Sequence, residues 1–159
     1  MARDLGMARD VLVLAHVEST SDKGTVAASA AAPSSSATPR RGRILVVDDD
    51  LLVGISLRRV LLGHDVTAVT DAREARDRIQ SGERYDVIFC DLQMPNMTGM
   101  DLHAELSQLP GEQADKMIFI TGGAFTPTAS AFLDRVSNDR LEKPFDTKGL
   151  RALVQRFLR

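Results

Sequence analysis

The sequence predicts an α/β domain in which helices cover both faces of a parallel sheet. From Arg43 onward, compact apolar runs alternate with segments of helical periodicity, and this alternation is typical of consecutive βα units. The first, third and fourth runs are apolar throughout, as expected of strands that are buried on both faces. Five such units form one complete three-layer domain, which we place at residues 43–159.

The individual elements follow from the apolar runs and from helix-capping signals. We predict strands at residues 44–47, 66–69, 87–90 and 117–120, with a short fifth strand around Leu141. The second helix is predicted to begin at Asp71, because Glu74 follows at the spacing of a capping box, and to end before Gly82. The other helices are predicted at residues 52–62, 99–109, 128–136 and 147–158.

Composition excludes several classes of function. The 20 Lys and Arg residues against 22 Asp and Glu residues give a net charge of −2, so we expect no nucleic-acid partner. The single cysteine, Cys90, rules out an intramolecular disulfide and a Cys-rich metal cage, and its apolar neighbours predict a buried thiol. Because no apolar stretch is long enough to cross a bilayer, we expect no membrane association and a cytoplasmic location.

Residues 1–42 differ in texture from the rest of the chain. From Ser19 to Arg43 the sequence is mostly Ala, Ser, Thr, Pro and Gly, with almost no large apolar side chains. Such a stretch buries too little apolar surface to offset the entropy of ordering. We therefore interpret residues 1–42 as a flexible, low-complexity leader and linker.

Polar residues follow four of the five predicted strands. Asp48, Asp49 and Asp50 follow the first strand, Asp91 the third, Thr121 the fourth and Lys143 the fifth. The carboxyl ends of parallel strands lie at one edge of the sheet, where ligands bind in open α/β folds. Each residue alone could serve as a helix cap or a turn residue, but the coincidence predicts a functional site.

This set of residues suits phosphoryl transfer. The carboxylates of Asp48, Asp49 and Asp91, if about 4 Å apart, would repel each other by roughly 4 kcal/mol per pair at an effective dielectric constant of about 20. They therefore require a cation or shifted pKa values. Oxygen ligands favour Mg²⁺. A carboxylate such as Asp91 can accept a phosphoryl group, while Lys143 and the Thr121 hydroxyl can donate to its oxygens. Gly122 can offer a backbone N–H to the same oxygens.

Four sequence motifs together resemble a response-regulator receiver domain. They are ILVVDDD at 44–50, YDVIFCDLQMPNMTG at 85–99, IFITG at 118–122 and LEKPF at 141–145. The resemblance covers residues 43–159, with the motifs in the order and at the spacing of the family. It implies a single domain of flavodoxin-like, doubly wound (βα)5 fold with strand order 2-1-3-4-5.

The resemblance also implies a role for each site residue. Asp91 matches the phosphoacceptor, Asp49 and Asp91 the direct metal carboxylates, Gln93 the residue that adds a backbone carbonyl, Asp48 the acid that acts through a water, Thr121 the switch hydroxyl and Lys143 the phosphate-binding lysine. The Lys143–Pro144 peptide bond is expected to be cis. The triple Asp leaves a choice of register, and we assign Asp50 to the start of the first helix.

One position departs from the family pattern. Three residues before Lys143, where the family usually has an aromatic residue that turns inward with the switch hydroxyl, this chain has Arg140. An arginine is costly to bury in an aromatic pocket. We therefore expect an intact phosphorylation site and an altered readout at the switch positions Thr121 and Arg140.

The family resemblance predicts partners as well. We expect a histidine kinase or histidine phosphotransfer protein as donor, a downstream protein target of the surface formed by the fourth helix, fifth strand and fifth helix, and a monomer or weak dimer. The chain ends with the fifth helix, which predicts a stand-alone receiver without an output domain. Residues 5–26 resemble a degraded end of a histidine-kinase ATP-binding domain, as a hybrid kinase would have. A meaningless low-complexity leader is the alternative.

Two other functions compete with a phosphorylation switch. A receiver-like module that is never phosphorylated would act by protein contact alone, and Arg140 favours it. A Mg²⁺-dependent phosphatase of the haloacid-dehalogenase type would use similar residues, but its nucleophile lies on the first strand rather than the third. We expect the chain to be no enzyme, apart from its own phosphorylation and slow autodephosphorylation.

Overall fold

The computed structural model describes residues 40–123 and 126–159, and these residues have the predicted alternation of strands and helices. The strands are β1 (Arg43–Val47), β2 (Asp65–Val69), β3 (Val87–Asp91), β4 (Met117–Thr121) and β5 (Arg140–Glu142). The helices are α1 (Leu51–Val60), α2 (Ala72–Gln80), α3 (Gly99–Leu106), α4 (Pro127–Leu133) and α5 (Thr147–Phe157), with a 3₁₀ turn at Ala114–Lys116. The predicted leader falls almost wholly outside the described residues.

The five strands form one parallel sheet in the order β2-β1-β3-β4-β5. Side chains of β1 alternate between its two faces: Leu45 and Val47 belong to one apolar cluster, and Ile44 and Val46 to the other. The first cluster also takes buried residues of α2, α3 and α4, whereas the second takes those of α1 and α5. The predicted three-layer fold and strand order are confirmed.

Three helices end two or three residues earlier than the sequence predicted. α1 ends at Val60 rather than residue 62, because Leu61 leaves the helical conformation with φ −105° and ψ 32°. α3 ends at Leu106 rather than 109, where the Ser107 hydroxyl donates to the His103 carbonyl at 2.7 Å. α4 covers Pro127–Leu133 rather than 128–136, and Asp134 caps it.

The structure bears on two predictions from composition, the buried thiol of Cys90 and the absence of a membrane-spanning segment. The Cys90 side chain is fully buried. Burial raises the pKa of its thiol, and the negative charges of Asp91 and Asp48 raise it further. The prediction of a buried thiol is therefore confirmed. In the part of the chain that the structure describes, no helix combines the length and the apolar character needed to cross a membrane.

A buried glutamine joins the loop before β3 to the segment before β4. Gln113 is 4% exposed, and its side-chain oxygen accepts a hydrogen bond from the Tyr85 N–H at 2.9 Å. Its amide nitrogen donates to the Tyr85 carbonyl at 3.2 Å. One side chain therefore satisfies both backbone groups of Tyr85 at the amino-terminal edge of the sheet.

Replacing Gln113 with alanine should lower the free energy of unfolding by about 1–3 kcal/mol, because Tyr85 then has unpaired buried backbone groups. Urea unfolding followed by circular dichroism measures the change. Gln108→Ala is the matched control, since Gln108 is exposed and should change stability by less than about 0.5 kcal/mol. Equal effects of the two substitutions would show that the buried amide contributes nothing specific.

Candidate functional site

The predicted site residues meet at the carboxyl edge of the sheet. Asp91 ends β3, Thr121 ends β4, and Lys143 directly follows β5. Because all strands run in parallel, these ends lie at one edge, and they enclose a cavity of about 160 Å³. Its lining residues are Asp91, Leu92, Gln93, Ile120, Thr121, Gly122 and Lys143.

Asp91 is largely enclosed and is held by one backbone group. Its Oδ2 accepts a hydrogen bond from the Gln93 N–H at 3.0 Å, and only 14% of its side chain is exposed. Burial raises the pKa of the Asp91 carboxyl above its ordinary value, the negative charges of Asp48 and Asp49 add to this effect, and Lys143 and the Gln93 N–H oppose it. The raised pKa of Asp91 is therefore mainly an effect of burial.

Lys143 lies between two carboxylates. Its Nζ is 2.8 Å from Asp48 Oδ2 and 3.6 Å from Asp91 Oδ1. Burial by itself would lower the pKa of Lys143, but the hydrogen bond and charge of Asp48, together with Asp91, raise it overall. The ammonium group is thus kept charged beside Asp91, where a phosphoryl group would arrive.

The three consecutive aspartates have different environments. Asp48 is buried, and its Oδ1 accepts the Asp50 N–H at 2.9 Å. Asp50 is the N-cap of α1, and its side chain accepts the Leu52 N–H at 2.9 Å. Asp49 is exposed at the edge of the site. The assignment of Asp50 to the start of the first helix is confirmed.

The carboxylates fit a hard cation with open coordination better than a closed cage. Among residues 40–123 and 126–159, no three His, Cys, Asp or Glu side chains are grouped as a ready metal site. The acidic donors at this edge are the carboxylate oxygens of Asp48, Asp49 and Asp91, which suit a hard divalent cation that retains water ligands.

Thr121 connects the site to the edge strand. Its side chain is buried, and its hydroxyl donates to the Leu141 carbonyl at 3.5 Å. Its own carbonyl accepts the Lys143 N–H at 2.8 Å. The adjacent Gly122 has no atom within 4 Å of the place where a Cβ would lie, so its backbone is open to the cavity. Both residues therefore line the cavity beside Asp91.

Arg140 does not occupy an inward-facing pocket. Its guanidinium donates to the Leu133 carbonyl at the end of α4, it lies 3.9 Å from Asp134, and 46% of its side chain is exposed. The sequence predicted that this position departs from the aromatic pattern, but it did not predict this contact. The Lys143–Pro144 peptide bond, three residues further on, is cis as expected.

Gly99 is a site residue that the sequence alone did not single out. A Cβ on Gly99 would lie 2.3 Å from the backbone oxygen of Asp91 and 3.1 Å from Cys90 Sγ. The Gly99 N–H also donates to the Leu92 carbonyl at 3.1 Å. The start of α3 therefore packs directly on the backbone that carries the Asp91 carboxylate. The signal in the sequence was a glycine at the predicted start of the third helix.

Comparison with protein families gives one clear match. The family model described as the response regulator receiver domain matches residues 44–155, which is more than half of the chain. The response regulator MprA of Mycolicibacterium vanbaalenii is 36% identical over 119 residues, covering 74% of this chain and 50% of that protein. The chain thus spans about half the length of this curated relative.

Solved structures show the same similarity. The receiver domain of a signal transduction histidine kinase from Syntrophus aciditrophicus has a TM-score of 0.64 and 29% identity, covering 74% of this chain and 89% of that chain. The receiver domain of sensor histidine kinase PA1611 from Pseudomonas aeruginosa has a TM-score of 0.63 and 28% identity, covering 75% and 98%. The latter is described with a magnesium ion coordinated in its active-site cleft.

Gly99→Ala should lower the free energy of unfolding by about 1–3 kcal/mol, because the added methyl group overlaps the Asp91 backbone. It should also shift the backbone amide resonances of residues 91–93. Gly63→Ala is the control: its Cβ meets nothing within 4 Å, so stability should change by less than about 1 kcal/mol. If the two variants are equally stable, the close approach at Gly99 is not a constraint.

Proposed function

Because the chain belongs to the response-regulator receiver domain family, we propose that it takes a phosphoryl group on Asp91 from a phosphohistidine donor, with Mg²⁺ bound beside it. The supporting observation is the cavity that brings Asp91, Thr121 and Lys143 together. The state of Asp91 would then be read by a downstream protein at the surface of α4, β5 and α5. This role belongs in the cytoplasm.

The residues available to hold Mg²⁺ are the carboxylates of Asp49 and Asp91 and the backbone carbonyl of Gln93, with Asp48 acting through a water. When bound, the ion neutralises charge on the transferring oxygens and helps to orient them. The magnesium ion described in the cleft of the PA1611 receiver supports this assignment. The negative charges of Asp48 and Asp49 beside the buried Asp91 carboxyl support it independently.

The transfer step requires little covalent chemistry from the protein. A carboxylate oxygen of Asp91 attacks the phosphorus of phosphohistidine, so that a P–O bond forms while the P–N bond breaks. The imidazole leaves with the electron pair of that bond and is neutral once its ring carries one proton. The product is an aspartyl phosphate.

The neighbouring residues stabilise the transferred group. Lys143, already charged and 3.6 Å from Asp91 Oδ1, can exchange Asp48 for a phosphoryl oxygen. The Thr121 hydroxyl, which donates to Leu141 at 3.5 Å, can turn to another oxygen, and the open backbone of Gly122 can donate as well. Each of these donors strengthens its interaction when negative charge arrives.

The donor protein needs a surface beside the site, and we propose that α1 supplies it. Leu51, Leu52 and Ile55 are 67%, 68% and 51% exposed, which is unusual for three neighbouring large apolar side chains. α1 begins directly after Asp50, so these residues border the edge where Asp91 lies. A macromolecule that delivers a phosphoryl group to Asp91 would cover them.

Incubation with acetyl phosphate and Mg²⁺ should increase the mass of the chain by one phosphoryl group, and Asp91→Asn should abolish the increase. Chelating the metal with EDTA should suppress it too. Asp65→Asn is the control, because Asp65 starts β2 at the opposite edge of the sheet and should leave phosphorylation unchanged. A mass increase that persists in Asp91→Asn would refute the proposal.

The double variant Leu52→Asp with Ile55→Asp should slow transfer from a phosphorylated histidine phosphotransfer domain at least about tenfold, since it places charge in an apolar contact. Phosphorylation by acetyl phosphate should not change. Leu62→Asp is the matched control, because Leu62 is 84% exposed but follows the far end of α1. Equal slowing by Leu62→Asp would argue against a docking surface at the start of the helix.

A further inference from the structure

The last turn of α4 is held by two arginines that come from different parts of the chain. Arg135 lies just beyond the helix and donates through Nε to the Ala131 carbonyl at 3.2 Å. Arg140 lies on β5 and donates to the Leu133 carbonyl. The last carbonyls of a helix lack partners within the helix, and positive charge is favourable at that end. α4 has no basic residue in its own last turn, so Arg140 contributes what the helix lacks.

β5 also makes contacts at its other end, inside the site. The Leu141 carbonyl accepts the Thr121 hydroxyl, and the Lys143 N–H donates to the Thr121 carbonyl at 2.8 Å. The strand has three residues, and in the described part of the sheet it pairs only with β4. This three-residue strand therefore lies between Lys143, which follows it in the site, and Arg140, which contacts the end of α4.

A phosphoryl group on Asp91 would change the side-chain contacts of Thr121 and Lys143, which are the Thr121 hydroxyl with the Leu141 carbonyl and Lys143 Nζ with Asp48. Thr121 would leave the Leu141 carbonyl for a phosphoryl oxygen, and Lys143 would leave Asp48 for another. Both changes remove restraints from the carboxyl half of β5, and Arg140 is the residue before Leu141. The guanidinium would then lose its position against the Leu133 carbonyl.

We propose that Arg140 is a latch that holds the end of α4 to β5 in the resting state, and that phosphorylation of Asp91 releases it. This inference rests on the proposed function and specifies how the phosphorylated state is transmitted. In this latch, a hydrogen bond and an ion pair of Arg140 at the surface take the place of an inward-turning aromatic residue. Phe132 and Val136, at this end of α4, line an apolar cavity of about 520 Å³ together with Met100 and Ala104 of α3. Release of the latch would therefore change the lining of this cavity.

The test compares Arg140→Gln with Arg135→Gln in the full chain, using Mg²⁺ and beryllofluoride as the phosphoryl mimic. Amide hydrogen exchange is followed at Asp134 and Val136, which donate to Ser130 and Phe132 in the last turn. In the wild-type chain the mimic should accelerate exchange at both amides. Arg140→Gln should show the faster exchange without the mimic and little further change with it.

Affinity for the mimic gives a second readout that loss of local stability would not change. Because the latch is present only in the resting state, removing it should tighten beryllofluoride binding at least about fivefold, by the reciprocity of coupled equilibria. Arg135→Gln removes a bond to α4 that does not involve β5. It should raise the exchange rate over wild type by the same factor with and without the mimic. The affinity for the mimic should stay unchanged.

The outcomes separate this inference from the proposed function. If the mimic leaves the amides of Thr121 and Lys143 unperturbed, the phosphoacceptor function itself fails, and the latch with it. If those amides respond but exchange at Asp134 and Val136 does not accelerate, only the latch is refuted. The same conclusion follows if Arg140→Gln and Arg135→Gln have the same affinity for the mimic.

Discussion

The site depends on one ammonium group placed between two enclosed carboxylates. Lys143 follows β5 at the edge of the sheet, whereas Asp48 follows β1, and yet Nζ lies 2.8 Å from Asp48 and 3.6 Å from Asp91. Without this cation, a buried Asp48 would be left uncompensated beside Asp91, which is strongly unfavourable. The strand order and the common direction of the strands are what bring these ends close enough. The fold therefore sets the electrostatic environment of Asp91, the proposed phosphoacceptor.

Backbone packing restrains the position of Asp91, in addition to the neighbouring charges. The start of α3 lies so close to the Asp91 carbonyl that only a glycine fits at position 99. The Gln93 N–H then holds one carboxylate oxygen, which leaves the other oxygen facing Lys143. Positioning of this kind contributes most to phosphoryl transfer, because the protein supplies orientation and charge rather than covalent steps. The carboxylate of Asp91, the proposed phosphoacceptor, is consequently oriented by the fold itself.

The sequence predicted those features that depend on local pattern. Continuous apolar runs located the strands closely, and the polar residues after them identified the site, because strand ends meet wherever strands are parallel. The predicted end of α3 was wrong by three residues, since the N–H groups of Gln108 and Leu109 donate to carbonyls three residues back rather than four. The ion pair of Lys143 with Asp48 spans 95 positions, and no local pattern reports whether two such side chains meet. The exposed, helix-capping position of Arg140 depends in the same way on tertiary distance.

β5 is the element in which these constraints converge. An aromatic residue at position 140 would transmit a change by moving into a pocket, so its effect would come from apolar burial. Arg140 instead acts through a hydrogen bond and a partly exposed ion pair, with 46% of its side chain open to solvent. Exposed ion pairs are screened by salt, whereas the contacts of Thr121 are made by a buried hydroxyl. High ionic strength should therefore weaken the link between β5 and α4 more than it weakens the proposed contact of the buried Thr121 hydroxyl with a phosphoryl oxygen. Capture and transmission would then respond differently to the same change in solvent, because they use different physical interactions on one short strand.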